Sequence, residues 1–435
     1  MWDNRPSDWE VRRLSDITTR ITRKNDGAGH PVMTISAKRG FMLQSDKYSR
    51  DMAGQSAERY ILLRRGEFAY NKGNSQAAPQ GCIFRLEDES AVIPFVYYCF
   101  SLAQEIDPRY AAHAFQNGVL NRELARAINS GVRNDGLLNL PAEDFFRCQI
   151  AVPPLPEQHA IAEVMDAVEE TIAATTALIE KLSCAKYATM RELLTLGIRR
   201  EKAPMKKMRT RWVLGRVAEG VTHIPSDWEL VRLTKVAKLE SGHTPDRKKP
   251  TYWEGDIPWI SLQDADALDK VTISETAETI GPLGLANSSA RMLPAETVVL
   301  QRTANVGLAS IMGREMCTSQ HFANWICGDR LDPYYLQQVF RHMSREWQRL
   351  VAGSVLPDIY MGTFKGLQIL LPPLAEQKKI GEIGVAFDLR IEEERRALAV
   401  LRENRTALAQ ELLSGRVRLP DSNVARHRHK TGKAA

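Results

Sequence analysis

The sequence predicts a mixed α/β chain: two globular α/β domains, related by a pseudo-two-fold repeat and separated by two long antiparallel, coiled-coil-like helices. Three observations carry this expectation. Two short motifs each recur 219 residues apart. A helical heptad pattern follows the second motif in both copies. The stretches between the motifs are of single-domain length and mix strand-like with helix-like runs.

The repeat comes first because it fixes the organisation. Pro6-Ser7-Asp8-Trp9-Glu10 recurs as Pro225-Ser226-Asp227-Trp228-Glu229, and Arg13-Leu14 as Arg232-Leu233. Pro153-Pro154-Leu155-Pro156-Glu157-Gln158 recurs as Pro372-Pro373-Leu374-Ala375-Glu376-Gln377 at the same offset. Between the motifs the halves look unrelated. A frame held constant around dissimilar contents is what a two-part asymmetric target requires. The boundaries that follow are 1–152 and 223–371 for the domains, 153–198 and 372–415 for the helical repeats, 199–222 for a basic linker and 416–435 for a basic, disordered tail.

Each helical repeat opens on proline, which suits a first helical turn, and on Glu157 or Glu376, which suits the positive end of the helix dipole. In the first copy Met165, Ile172, Ile179 and Leu193 hold one heptad position, and Ile161, Val168, Leu182 and Leu196 the other. In the second, Ile391, Leu398 and Leu412 accompany Ile380, Phe387, Leu401 and Leu408. Lys186 breaks the first seam; Gly384, Glu394 and Arg405 break the second. Some 40 residues per helix give roughly 60 Å at 1.5 Å per residue. Broken seams point to two helices packed on each other, with a partner protein covering the remainder.

The domains are expected to contain strands at 59–63, 68–70 and 297–300, and helices at 120–128 and 333–350. The chain has 43% apolar and 26% charged residues, the balance of a globular protein. No uninterrupted apolar run is long enough for a membrane span, and the start lacks a signal-peptide pattern, so a cytoplasmic protein is expected. The six cysteines are scattered without a C-x-x-C pair. Cys317, His321 and Cys327 lack a fourth metal ligand in suitable spacing, and no metal site is expected.

Charge placement matters more than the total of +6. Residues 199–211 carry a net +6 and residues 416–435 a net +5; removing both from the total leaves about −5 on the rest. The domains are therefore not basic overall. Contact with a nucleic acid would run through local patches, with a partner supplying part of the phosphate clamp.

The repeated Pro-Ser-Asp-Trp-Glu start, the block Ser241-Gly242-His243-Thr244-Pro245 leading to Tyr252-Trp253-Glu254-Gly255-Asp256-Ile257-Pro258-Trp259-Ile260, and the Pro-Pro-Leu-x-Glu-Gln helix start together resemble the specificity subunits of type I restriction–modification systems. The resemblance spans nearly the whole chain. The first domain lacks the Ser-Gly-x-Thr-Pro block, and His243 stands where that block commonly has glycine. The resemblance implies two target-recognition domains that each read one half of a split target in double-stranded DNA. It implies no catalysis in this chain. Two modification subunits would bind S-adenosylmethionine and methylate adenine. Restriction subunits would use ATP and Mg to translocate and cut.

The residues themselves agree. There is no phosphate-cradling G-x-x-x-x-G-K-[ST], no G-x-G-x-x-G after a strand, and no Pro-Pro-[Tyr/Phe] methylase signature. Pro357-Asp358 followed by Glu376-Gln377-Lys378 has nuclease-like lettering, but the Glu and Lys belong to the repeated helix start. Candidate DNA contacts are the cations and amides on loops: Lys38, Arg39, Asn71, Lys72, Asn74 and Gln76 in the first domain, and Arg247, Lys248, Lys249, Gln301, Arg302 and Asn305 in the second. Candidates for helix pairing or partner docking are Ile161, Val168, Ile172, Ile179, Leu182, Ile380, Phe387, Ile391, Leu398 and Leu401. Two other readings stand beside this one: the same reader serving a partner in which methylase and nuclease are fused, and a helical assembly scaffold that binds no DNA.

Overall fold

The computed structural model describes residues 5–47, 58–73, 76–128, 137–198, 204–351 and 357–428. It divides into two compact units, Met1–Ala174 with Ala399–Ala435, and Thr175–Leu398. The long helices Leu155–Leu196 and Leu374–Ser414 are each shared between the units. Antiparallel pairing puts the first turns of one helix beside the last turns of the other, against the same globular domain.

In the first unit a four-stranded antiparallel sheet has the order Thr18–Ile21, Tyr98–Leu102, Phe68–Asn71, Cys82–Arg85. Beside it lie the hairpin Met33–Ser36/Gly40–Leu43 and the ladder Ile61–Arg64/Ser90–Ile93. Phe68, Phe100, Phe115 and Phe145 fill the core with stacked and edge-to-face rings. In the second unit a five-stranded sheet has the order Ala237–Ser241, Phe322–Cys327, Val298–Gln301, Ala309–Met312, Thr272–Ile273. The expected helix at 333–350 is two helices, Pro333–His342 and Ser344–Val351, broken at Met343.

Within each copy the two repeated motifs meet in space. The entry strand Glu10–Arg13 pairs with the exit strand Gln149–Val152, and Glu229–Arg232 pairs with Gln368–Leu371. Trp9 Nε1 donates to Glu157 Oε2 at 3.1 Å, and Trp228 Nε1 donates to Glu376 Oε2 at 2.9 Å. The glutamine next door does a second job. Gln158 Oε1 accepts from Asp107 N at 2.8 Å and its Nε2 donates to Pro153 O at 2.9 Å. Gln377 does the same with Asp332 N at 2.9 Å and Pro372 O at 2.8 Å. Asp107 and Asp332 cap the helices Pro108–Gln116 and Pro333–His342, each with proline in its first turn. Each Glu-Gln pair thus ties a long helix to the domain's entry motif and to a capped helix within that domain.

The seam breakers are a duplicated polar lock. Lys186 and Arg405 occupy the same position of the repeat, as do Asp388 and Glu169. Lys186 Nζ donates to Asp388 Oδ1 at 2.5 Å in the second unit, and Arg405 Nε donates to Glu169 Oε1 at 2.7 Å in the first. Each lock also reaches its domain. Gln338 and Arg341 bind Asp388 at 2.8 and 3.0 Å, and Arg405 donates to Asn117 at 2.7 Å. Gly384 breaks the second seam for a steric reason: a Cβ there would lie 2.5 Å from the Gln338 side chain. A cavity of about 440 Å³ adjoins the second lock. There, burial pushes His342 down to about 4, with Lys186 and Arg191 adding to the shift, and the neutral ring stacks on Tyr187 at 4.6 Å.

The described parts of the linker and of the tail carry order where a basic linker and a disordered tail were expected; 199–203 and 429–435 lie outside the described residues. Met205–Lys207 pairs with His223–Pro225, and Trp212 is buried with its Nε1 donating to Gln368 O. In the tail, Asp421–Arg428 is helical. Arg418 binds the Asp8 carboxylate at 2.8 and 2.9 Å and the buried Glu157 carboxylate at 2.9 and 2.5 Å. The correction has a plain cause: composition shows cations, but their anions lie hundreds of residues away in sequence. Arg418→Ala is expected to destabilise the first unit by about 1–2 kcal/mol, because among the described residues Glu157 keeps only Trp9 as donor while solvent already reaches the guanidinium. Hydrogen exchange of the Glu10–Arg13 strand checks this; unchanged protection would contradict it. Among the described residues no helix is long and apolar enough to cross a membrane.

Candidate nucleic-acid interface

Equivalent loops leave equivalent strands in the two units. In the first, the loop after Phe68–Asn71 bridges Gly73 to Leu137, and Leu138 N donates to Lys72 O at 2.8 Å. In the second, the loop after Val298–Gln301 bridges Thr303 to Asp358, and Ile359 N donates to Arg302 O at 3.0 Å. One cation, Lys72 or Arg302, sits at the same place in each.

Their side chains are largely spoken for. Lys72 Nζ lies 3.3 Å from Tyr98 Oη and 5.1 Å from that ring's centre. Asn71 donates to Ile35 O and accepts from Gly73 N, tying the loop to the neighbouring hairpin. Lys38 and Arg39 are exposed at that hairpin's tip, and Gln76 is exposed beyond the loop. Asn74 lies outside the described residues. Arg302 donates to Asp358 Oδ1 at 2.7 Å, Ile359 O at 2.8 Å and Gln320 O at 3.0 Å. Gln301 is 1% exposed and donates to Thr303 O, so it supports the loop from within. Asn305 is exposed. Ala304 holds a left-handed φ of 63°, an unfavourable conformation for alanine, and its N–H donates to Pro357 O at 2.8 Å.

The cationic loop 247–249 divides its labour. Arg247 lies over the Trp253 ring at 3.7 Å and the Trp259 ring at 5.1 Å, and both its Nη atoms bind Glu278. The guanidinium in turn holds the Glu278 carboxyl below the usual carboxylate range. Arg247 therefore braces the loop. Lys249 Nζ donates to Tyr252 Oη at 3.1 Å, and Lys248 is exposed. His243 needs no left-handed turn; Gly242 is the residue the fold demands, since a Cβ there would meet Thr318 O at 2.1 Å.

Of the seam candidates, Ile161 packs in one cluster with Leu412 and Leu413, and Ile380 in another with Leu193 and Leu194. Ile391 and Leu398 are buried; Val168, Ile172, Ile179, Leu182, Phe387 and Leu401 are half-buried.

Asp358 and Glu278 were not among the candidates. Each neutralises a candidate arginine from 56 and 31 residues away in sequence, and nothing local marks them. The nuclease-like lettering resolves likewise: Asp358 clamps Arg302 and Thr303, while Glu376 holds Trp228 and Ile198.

Two copies of one frame, each presenting its own loop side chains, define a two-headed recognition protein. The family model for the type I restriction modification DNA specificity domain matches residues 6–183 and again 225–402. The chain belongs to that family and is a DNA sequence-specificity subunit. The MjaIX specificity subunit of a type I restriction enzyme from Methanocaldococcus jannaschii is 30% identical over 193 residues, 44% of this chain and 45% of that protein. The chain thus matches under half the length of that relative. The putative MjaX specificity subunit of the same organism is 24% identical, covering 95% of each chain. The solved type I restriction–modification S subunit from M. genitalium shares the fold, with a TM-score of 0.56 at 13% identity over 94% of this chain and 96% of that one.

Proposed function

We propose that this chain is the non-catalytic reader of a type I restriction–modification complex in the cytoplasm. Each unit reads one half of a bipartite, asymmetric target in double-stranded DNA. The chain holds two modification subunits, which use S-adenosylmethionine to methylate adenine, and restriction subunits that use ATP and Mg join them. The single observation behind this reading is the duplicated frame around unlike heads: the same Trp–Glu and Gln–Asp ties recur while the loop chemistry differs. Exposed Lys38, Arg39, Lys248 and Lys249 suit phosphate contact, and Asn305 suits a base edge.

The test is an exchange of residues 232–370 for the corresponding domain of another family member, followed by methylation mapping in a host that also expresses the partner genes. One half of the modified sequence is expected to change and the other to persist. Change in both halves, or in neither, would contradict the reading. A partner that fuses methylase and nuclease would give the same map with one partner chain in place of two.

A further inference from the structure

The duplicated loop bridge carries one position that no sequence motif marks. Beside Lys72 and Arg302, the returning segments run Leu138-Asn139-Leu140 and Ile359-Tyr360-Met361. Leu138 and Ile359 are both buried, and each donates its N–H to the loop cation's carbonyl. In an extended segment the next residue points the other way. Asn139 and Tyr360 are accordingly both exposed, Tyr360 at 78%. Neither side chain makes a hydrogen bond among the described residues.

We propose that Asn139 and Tyr360 are equivalent specificity-determining residues, one in each unit, that contact base edges in the two half-sites. This rests on the reading of the chain as a DNA-specificity subunit. Three observations carry it. The buried neighbour and the bridge are the same in both copies, so the outward position is built twice with the same backbone. Its occupant differs, an amide in one unit and a phenol in the other, as two unlike half-sites require. Third, the platform is clamped, and its cation is neutralised, in the second unit. Thr303 and Arg302 both bind Asp358, and Ala304 is held in a left-handed conformation by Pro357 O. A strained, clamped loop with Ala304 and Asn305 exposed at its tip is organised for recognition. With Arg302 neutralised, the platform offers neutral groups, which read bases, in place of free cations, which grip phosphate. An amide suits the adjacent acceptor and donor of adenine in the major groove; a tyrosine offers a ring face for a thymine methyl and a hydroxyl for an acceptor.

The experiment uses the full chain co-expressed with its partner subunits, with Asn139→Ala and Tyr360→Ala as variants and genome-wide methylation mapping as readout. Both side chains are exposed, so melting curves should match the parent. Each variant is expected to relax one base position by about tenfold, Asn139→Ala in one half-site and Tyr360→Ala in the other. Binding of the mapped duplex should keep its salt dependence, because no phosphate contact is lost, whereas Lys248→Ala should make that dependence shallower. If the parent modifies a defined bipartite sequence and both variants modify it with undiminished selectivity, this assignment is wrong and the DNA reading stands. The assignment also fails if the variants weaken all duplexes alike with a shallower salt slope. A parent that prefers no sequence overturns both.

Discussion

Asp388→Leu is expected to destabilise the second unit by about 3–5 kcal/mol, the usual cost of stranding a buried charge. Asp388 faces Lys186 at 2.5 Å, Gln338 at 2.8 Å and Arg341 at 3.0 Å, and the three charged side chains are only 14, 16 and 13% exposed. Arg341 keeps the carbonyls of Ala309, Asp269 and Lys270 when the carboxylate goes. Lys186 has no such reserve among the described residues, and burial already pushes its ammonium toward the neutral form. The double variant Lys186→Met/Asp388→Leu removes both charges and should regain most of the loss. Six of the eight tryptophans lie in the second unit, so tryptophan fluorescence during denaturation reports on that unit. A single-variant loss below about 1 kcal/mol, or a double variant as weak as the single one, would contradict this account.

Trp228→Ala should cost a similar amount, about 3–5 kcal/mol, for a different reason. The indole is fully buried, and its N–H is one of two hydrogen-bond donors to the Glu376 carboxylate among the described residues, Ile198 N being the other. Truncation opens a cavity where the entry motif, the long helix and the left-handed turn at Gly197 meet. Trp228→Phe keeps most of the packing and should lose about 1–3 kcal/mol for the carboxylate left short of a donor. Urea denaturation separates the two. Equal stabilities for the phenylalanine variant and the parent would show that the Trp228–Glu376 bond contributes nothing.

Much of the frame was legible because its residues recur in fixed register. Trp9 and Trp228, and the two Glu-Gln pairs, stood out as letters at one offset. Their roles did not, since each Trp–Glu bond joins residues 148 apart in sequence. Lys186 and Arg405 were visible as interruptions of an apolar seam, while their anions lay on the other helix. Arg247 and Arg302 read as free cations, yet Glu278 and Asp358 reach them through folds that no local pattern encodes. Arg418 is the extreme case: its two carboxylates sit 410 and 261 residues upstream. Short-range chemistry is written locally; the pairing of distant charges is decided only once the chain has closed on itself.

The pairing of Glu10–Arg13 with Gln149–Val152, reinforced by Leu14 N donating to Cys148 O at 2.9 Å, gives each head a narrow stalk. Both chain ends cross it side by side, about 5 Å apart as in any antiparallel ladder. Whatever lies above the stalk can grow or shrink without moving the point where the long helix begins. The same holds at Glu229–Arg232 and Gln368–Leu371, where Leu233 N donates to Leu367 O at 2.8 Å. Such a stalk works as a standard plug: natural recombination, or a designer, must match two adjacent strand ends and keep the few side chains, Asp332, Gln338 and Arg341 in the second head, that grip the long helix.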